Sequence, residues 1–275
     1  MNAVTNSVPN SARKRTRPRS LGDVSGMAML AFQVAFGLLF LFVWHLASGT
    51  VISDFYVSHP LTVGRRLAEW ILDGTLIRHA WATTYATVLG FLIGSVIGCV
   101  LGFWLGLSEF TSRLLNPFLL FFYALPKPAL APLFILWFGF GAGSKVALAS
   151  LLVFFLVFYN TYTGVREVDR DLVDTARLMK ASRWQIVFKV IIPATTSWVF
   201  AGLQISVPFA LIGAIVGEML ASNQGLGYLI HLAGAEFDTA AVFAGLIAIA
   251  FLGIVLNKLI DISKAGVQPW KAISK

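Results

Sequence analysis

The side chains most capable of chemistry are concentrated in one stretch, from Gly164 to Pro193. Only 12% of the 275 residues are charged, yet ten charged side chains lie in this stretch. They are Arg166, Glu167, Asp169, Arg170, Asp171, Asp174, Arg177, Lys180, Arg183 and Lys189. Apolar residues recur between them at helical spacing, which predicts two short amphipathic helices with a turn near Lys180–Ser182. Pro193 then opens the next helix, because proline is tolerated in a first turn. Such helices can bind another protein, and a solvated loop of mixed charge is the alternative.

Groups that could perform catalysis or bind metal are not arranged for either task. The histidines stand singly, without a metal-ligand spacing such as HExxH; they are His45, His59, His79 and His231. The single cysteine, Cys99, lies in an apolar run. The segment GFGAGS followed by Lys145 does not match the phosphate-loop pattern GxxxxGK[ST]. We expect no enzyme, no metal site and no cofactor in this chain.

The composition is that of a polytopic membrane protein. Hydrophobic residues make up 57% of the chain and the mean hydropathy is +0.79. Apolar runs reach the ~20 residues that a bilayer-spanning helix needs. Six spans are predicted: Met27–Ala47, Ala82–Leu107, Leu114–Phe138, Lys145–Tyr162, Thr195–Gly217 and Ala240–Ile260. We therefore expect an all-α membrane helix bundle, with an amphipathic helix over Leu61–Leu72 and the charged stretch as a cytoplasmic loop between spans four and five.

Five glycines in the second span recur at strict four-residue spacing. They are Gly90, Gly94, Gly98, Gly102 and Gly106. This spacing places them on one helix face, where small residues allow a neighbouring helix to approach closely. The pattern predicts tight helix packing and no chemistry.

The third span contains Pro117, Pro126, Pro128 and Pro132, so we expect it to be kinked or broken. Such breaks are tolerated in a membrane where neighbouring helices or a water-lined cavity satisfy the freed backbone groups. Side chains near this break, and polar groups in the other spans, are candidates for lining a solute pathway. They are Lys127, Phe122, Asn160, Gln204, Ser206 and Glu218. Interhelical hydrogen bonds and interfacial contacts are the alternative for these residues.

The net charge of +8 reflects topology rather than nucleic-acid binding, because the basic residues cluster beside the apolar runs. With a cytoplasmic N-terminus, sixteen Lys and Arg residues face the cytoplasm and four face the outside. The positive-inside rule then predicts that both termini and the charged stretch are cytoplasmic. Three segments follow: a basic N-terminal tail of residues 1–26, a transmembrane domain of residues 27–262 with a coupling segment at 164–193, and a C-terminal tail of residues 263–275.

The charged stretch resembles the "EAA" signature of permease subunits of ABC-type importers. That motif runs from an acidic-Ala-Ala triplet through three residues, a glycine and nine residues to Ile-x-Leu-Pro. Here Asp174-Thr175-Ala176 takes the triplet position and Val190-Ile191-Ile192-Pro193 closes the motif at the same spacing. Lys180 stands where the glycine belongs, and a left-handed turn costs lysine more than glycine. The resemblance implies that an ATPase docks on Asp174, Thr175, Ala176, Arg177, Lys180, Ala181 and Trp184.

A wider resemblance, from about Pro117 to Leu229, is to the permeases of the nitrate, sulfonate and taurine branch of ABC importers. It is carried by PLFILWFGFGAGSK, NTYTGVREVD and VGEMLASNQGLGYLI. It implies a subunit that forms the pathway for a small solute, most often an anion, in a bacterial inner membrane. Relatives in the branch serve vitamin precursors or other heterocyclic solutes, so that alternative stays open. The implied partners are a cytoplasmic ATPase dimer, a periplasmic or lipid-anchored solute-binding protein, a second permease copy and membrane lipid.

Two other classes of membrane protein are the alternatives. A stand-alone secondary carrier or channel often contains internal repeats and an acid near mid-membrane, and neither is evident here. A membrane scaffold would suit the glycine stripe but would leave the charged stretch unexplained.

Overall fold

The computed structural model describes residues 26–267, with side-chain surroundings for residues 27–263. Within that range the chain is almost entirely helical and contains no β-strand, which confirms the predicted all-α class. The helices are α1 (Gly26–Ala47), α2 (Asp54–Val57), α3 (Pro60–Leu72), α4 (Thr75–Leu107), α5 (Glu109–Ala124), α6 (Ala131–Phe138), α7 (Ala142–Arg166), α8 (Arg170–Leu178), α9 (Arg183–Ile186), α10 (Ile192–Ala221), α11 (Leu226–Ala235) and α12 (Thr239–Val267). The predicted N-terminal tail lies outside the described residues except for Gly26. The predicted C-terminal tail begins inside α12, and residues 268–275 lie outside the description.

Five helices are long and apolar enough to cross a membrane. They are Met27–Ala47, Thr75–Leu107, Ala142–Arg166, Arg183–Ala221 and Thr239–Ser263. A sixth span is available if α5 and the segment Lys127–Phe138 count as one, although the two are bent by 85°. Pro126 and Pro128 lie at this bend, where their missing N–H groups cannot continue a helical ladder. The predicted count is thus matched only by including this broken span.

The fourth continuous span is longer than expected, because α9 and α10 are joined without a break. A π-helical segment, Val187–Ile191, connects them, and Ile192 N donates to Val187 O in the i→i−5 pattern. Pro193 follows in the first turn of α10. A wider turn here suits a proline, whose ring would clash with the carbonyl four residues earlier in a regular α-helix.

The centre of the bundle is α7, which packs between α4 and α10. The five glycines of α4 lie along the α7 contact: a Cβ on Gly94 would be 2.4 Å from the Ser150 carbonyl oxygen, and one on Gly102 would be 2.8 Å from Thr161 Cβ. Val153 and Val157 of α7 are fully buried against Ala210 of α10. These backbones approach closely because one helix surface is smooth.

The first helix stands apart from this core. None of its apolar stretch is buried within the described chain. It is held at its C-terminal end, where Trp44 packs on Val63 of α3 and its Nε1 donates to Ser58 O at 3.2 Å. The same cluster includes Ala240 and Ala244 of α12, so α1, α3 and α12 meet at one end of the bundle.

Candidate functional site

The charged stretch folds into an exposed helix, α8, at one end of the bundle. Asp169 caps its first turn, with Oδ1 accepting from Asp171 N at 2.9 Å. Asp174 and Arg177 form an ion pair at 2.9 Å on its surface. Leu172, at 53%, is also exposed, so α8 presents both charge and apolar surface uncovered by the described chain.

The turn that ends α8 places Lys180 in the left-handed region, with a φ of +59°. Lys180 N donates to Arg177 O at 2.9 Å, and Ala181 N donates to Ala176 O at 3.0 Å. These two bonds form a Schellman motif, whose left-handed position is usually glycine. The chain therefore keeps, with a lysine, the turn that glycine would permit at lower cost.

The next helix begins with a capping box. Ser182 Oγ accepts from Gln185 N at 3.3 Å, and Gln185 Oε1 accepts from Ser182 N at 2.7 Å. Trp184 and Phe188 stack on the surface with ring centroids 5.9 Å apart, and Trp184 is 73% exposed. The pattern Ser-x-x-Gln was readable in the sequence as a helix start. Thus α8, the Lys180 turn and α9 make one exposed surface with a defined shape.

At the opposite end of α10, a second cluster surrounds the start of α11. Three successive backbone N–H groups each donate to a side chain from another helix. Gly225 N donates to His79 Nδ1 at 3.0 Å, Leu226 N to Thr83 Oγ1 at 2.8 Å, and Gly227 N to Glu218 Oε2 at 2.9 Å. Thr83 Oγ1 also donates to Glu218 Oε2 at 2.9 Å. We call His79, Thr83 and Glu218 the α11 cap.

The backbone at Gly225 and Gly227 packs closely against the α11 cap and the end of α10. A Cβ on Gly225 would lie 2.1 Å from the Glu218 carboxyl carbon, and one on Gly227 would lie 2.6 Å from the Ile215 carbonyl oxygen. Gly225 also has a φ of +119°, a conformation that residues with a Cβ rarely adopt. Both glycines are therefore required by the close approach of the chain to Glu218.

Lys145 of α7 holds the loop that precedes this turn. Its Nζ donates to Ser222 Oγ at 2.7 Å and approaches Gln224 O at 3.5 Å. The lysine is 3% exposed and lies on the floor of a polar groove of about 390 Å³ beside Phe140 and Gly141. Side chains from α4, α7 and α10 thus converge on residues 222–227, which comprise the loop and the first two residues of α11.

The pathway candidates do not converge in the same way. Lys127 Nζ donates to Tyr123 O at 2.7 Å and sits 4.9 Å from the centroid of the Phe155 ring. Phe122 is exposed, and Glu218 belongs to the α11 cap. Asn160 and the buried Ser206 donate to carbonyl oxygens of their own helices, those of Leu156 and Leu203. Gln204 donates to Asp261 Oδ1 at 2.5 Å. Within residues 26–267, no group of three His, Cys, Asp or Glu side chains could hold a metal ion.

Sequence reasoning missed His79, Thr83 and Lys145 as residues that, together with Glu218, hold residues 222–227. The available signal was the segment SNQGLG, which predicts a helix start with no capping side chain of its own. What accepts the N–H groups cannot be read locally, because His79 and Thr83 are 146 and 143 residues away from the groups they bind.

The described residues thus form a bundle of membrane-length helices with the exposed surface of α8 and α9 at one end. A family model, the binding-protein-dependent transport system inner membrane component, matches residues 94–272. The chain belongs to this family: it is a membrane-integral ABC transporter permease for small solutes. Permeases of the family are not enzymes, and the ATPase is a separate subunit, which confirms the non-enzymatic prediction. Membership implies an ATPase partner and a binding protein.

The relatives differ in the solutes that their names state. The chain is 33% identical to SsuC of Bacillus subtilis, a permease assigned to aliphatic sulfonates, over 94% of this chain and 92% of that protein. It is 31% identical to the formylaminopyrimidine transport permease ThiX of Halalkalibacterium halodurans, over 86% and 94% respectively. A chain of the inward-facing MetNI methionine ABC transporter shares the fold, with a TM-score of 0.63 at 19% identity over 70% of this chain and 96% of that one.

Proposed function

We propose that this permease carries a small anion of the nitrate, sulfonate or taurine class into a bacterial cell across the inner membrane. The relationship to SsuC supports an anionic solute. The distribution of Lys and Arg supports cytoplasmic termini and a cytoplasmic α8–α9 surface, since sixteen basic residues then face inward and four outward. No cofactor is expected in this chain.

The observation that carries the coupling proposal is the exposed surface of α8, the Lys180 turn and α9. Leu172, Met179 and Trp184 are exposed beside the Asp174–Arg177 ion pair. Apolar side chains on a charged helix provide a helix face that fits a groove in a partner protein. We assign ATPase docking to this surface, whose central residues are Asp174, Thr175, Ala176, Arg177, Lys180, Ala181 and Trp184.

The helix that follows gives this surface a mechanical connection to the rest of the bundle. Arg183–Ala221 is continuous over 39 residues, about 58 Å at 1.5 Å per residue. Closure of two ATPase subunits on nucleotide would displace α8 and α9, and the continuous helix would transmit that displacement across the bilayer. A second permease copy would complete the pathway, with Lys127, Phe122, Asn160, Gln204, Ser206 and Glu218 as candidate lining residues and lipid covering the outer faces.

A heterocyclic solute is the second candidate, and the relationship to ThiX favours it. The charge of the protein does not distinguish the two classes, because its basic residues follow topology.

The test is purification of the tagged protein from its host in mild detergent, followed by reconstitution in liposomes. We expect an ATPase with Walker motifs to co-purify, and two permease copies in each complex. ATP-dependent uptake is then compared for taurine, an alkanesulfonate, nitrate and a formylaminopyrimidine, with the binding protein added. Uptake of only the pyrimidine would overturn the anion proposal, and ATP-independent transport by the protein alone would indicate a secondary carrier.

A further inference from the structure

We propose that the α11 cap positions α11 for transport, by making this helix an arm that moves as one body with α4, α7 and α10. The inference rests on the proposed function and assigns a role to Thr83 and His79, with Glu218 as their partner. In this role α11 is the helix that moves at the end of the bundle opposite α8 and α9.

The first step concerns how α11 begins. The first N–H groups of a helix have no partner inside it and are normally satisfied by a residue of the same turn or by water. The N-cap residue here is Gly225, which has no side chain to offer. Instead His79 and Thr83 of α4 and Glu218 of α10 accept the three N–H groups. Detaching α11 from either helix would leave buried donors without acceptors.

The second step concerns freedom of movement. Thr83 and Glu218 are fully buried, and Tyr228 of α11 stacks on His79 with ring planes only 8° apart. The α10–α11 loop is also held by Lys145 of α7 through Ser222. The loop therefore has no unrestrained residue pair at which α11 could hinge, although a helix after a glycine-rich turn is often mobile.

The third step connects the two ends of the bundle. Helix α10 spans 30 residues, about 45 Å, between the π-helical segment beside α9 and the loop before α11. A displacement of α9 is passed along α10 and reaches α11 without loss at the loop, because the α11 cap fixes that joint. The α11 cap thus allows a displacement of α8 and α9 to move α11 at the opposite end of the bundle.

The experiment compares Thr83→Val with Thr83→Ser in the complete complex in liposomes. Valine keeps the volume but removes the hydroxyl that binds Leu226 N and Glu218; serine keeps the hydroxyl. Uptake and ATP hydrolysis are both measured per assembled complex, and amide exchange is measured on the peptide covering residues 222–229. We expect Thr83→Val to lower uptake about tenfold, because the buried Leu226 N–H is left without an acceptor, with ATP hydrolysis kept within about twofold. Exchange of the loop amides should rise in the valine variant and stay at the wild-type level in the serine variant.

Several outcomes would overturn the proposed role of the α11 cap in transport. Unchanged uptake in Thr83→Val would do so. A parallel fall of uptake, hydrolysis and complex yield would also do so, because it would indicate a role in folding alone. Equal behaviour of the valine and serine variants would also exclude the hydroxyl as the cause. A wild-type complex without ATP-driven uptake would overturn the proposed function instead, and the amide exchange would still decide whether the cap fixes the loop.

Discussion

Arg66 on α3 and Asp238 before α12 form an ion pair at 2.7 Å although 172 residues separate them. The other carboxylate oxygen of Asp238 accepts from Ala241 N at 3.0 Å and so caps the first turn of α12. Thr239 additionally donates to the carbonyl of Phe55 in α2. Asp238 therefore joins α3, and Thr239 joins α2, to the start of the last span.

Because Asp238 has two roles, we predict that two substitutions at this position lower the free energy of unfolding by different amounts. Asp238→Ala removes the cap and the ion pair and should lower the free energy of unfolding by about 1–2 kcal/mol. Asp238→Asn keeps a capping oxygen and should lose less than about 1 kcal/mol, since the pair is partly exposed. Thermal unfolding in detergent at low and high salt measures both. Equal losses for the two variants would show that the cap contributes nothing.

The glycine stripe predicts a sharp contrast between two Gly→Ala substitutions. A Cβ on Gly94 would meet the Ser150 carbonyl at 2.4 Å and Val153 Cβ at 2.9 Å, so Gly94→Ala must separate α4 from α7. We expect a loss of about 1–3 kcal/mol from overpacking. The control is Gly64→Ala in α3, where nothing lies within 4 Å and alanine should be neutral or stabilising by up to about 1 kcal/mol. Unfolding temperatures that fall equally in both variants would argue against the close contact.

Several features of the fold were predictable from short stretches of the sequence. Apolar runs of membrane length and a four-residue glycine period are visible in short windows, so the helices and the smooth face of α4 were predictable. The bend between α5 and α6 was expected from its prolines, because each proline removes a local hydrogen bond. Helix α4 begins at Thr75, seven residues before the predicted Ala82. The additional residues include Arg78 and His79, which end the apolar run in the sequence, and His79 is buried beside Gly225 and bonded to it.

Three other features were not predicted, one because it depends on residues far apart in the chain and two because the local pattern favours a different backbone. Glu218 was predicted as a candidate for lining the pathway, with an interfacial contact as the alternative, and its role in holding α11 was missed. The N–H groups that donate to Glu218 and Thr83 belong to Gly227 and Leu226, which reach these side chains only after the chain has folded back. The left-handed Lys180 opposes local preference and is explained by the two bonds that close the α8 turn. Pro193 was predicted to open a new helix; it lies in the first turn of α10, but α10 continues from α9 through a π-helical segment without a break.

The exposed ion pair on α8 gives a direct test of ATPase docking. Asp174→Arg or Arg177→Asp should abolish uptake while leaving the amount of protein in the membrane unchanged, because exposed pairs contribute little to folding. The matched control is Arg113→Asp, which breaks a similarly exposed pair with Glu109 on α5. Uptake in vesicles and ATPase co-purification measure the effect. Wild-type uptake in both α8 variants would place docking elsewhere.

The left-handed turn predicts that a change at Lys180 can stabilise the coupling surface. Lys180→Gly relieves the positive φ and should make the turn more stable by about 1 kcal/mol, which would slow amide exchange at Lys180 and Ala181. Lys180→Ala removes the same charge and keeps a Cβ, so it should not slow the exchange. If glycine and alanine give the same exchange rates, the effect belongs to charge and the turn is not strained.

The π-helical segment predicts a distinct phenotype for the proline that follows it. Pro193→Ala restores an N–H and removes the ring, so the segment Val187–Ile191 can tighten into a regular α-helix. When the same residues tighten from a π-helical turn into an α-helical one, the preceding helix rotates relative to α10 by up to about the 100° that one residue contributes, which would turn Trp184 and α9 away from their present direction. Uptake for each ATP hydrolysed should therefore fall, while membrane insertion and the α11 cap are kept.

The control for that change is Pro208→Ala, because Pro208 lies inside α10 with no π-helical segment before it. Alanine there should leave the ratio of solute to ATP at the wild-type value. The two variants are compared in the reconstituted complex, with uptake and hydrolysis measured on the same liposomes. A lowered ratio in Pro193→Ala alone assigns the transmission of motion to the π-helical segment. If the ratio of solute transported to ATP hydrolysed is equal in the two variants, the wide turn only accommodates a proline and has no part in coupling.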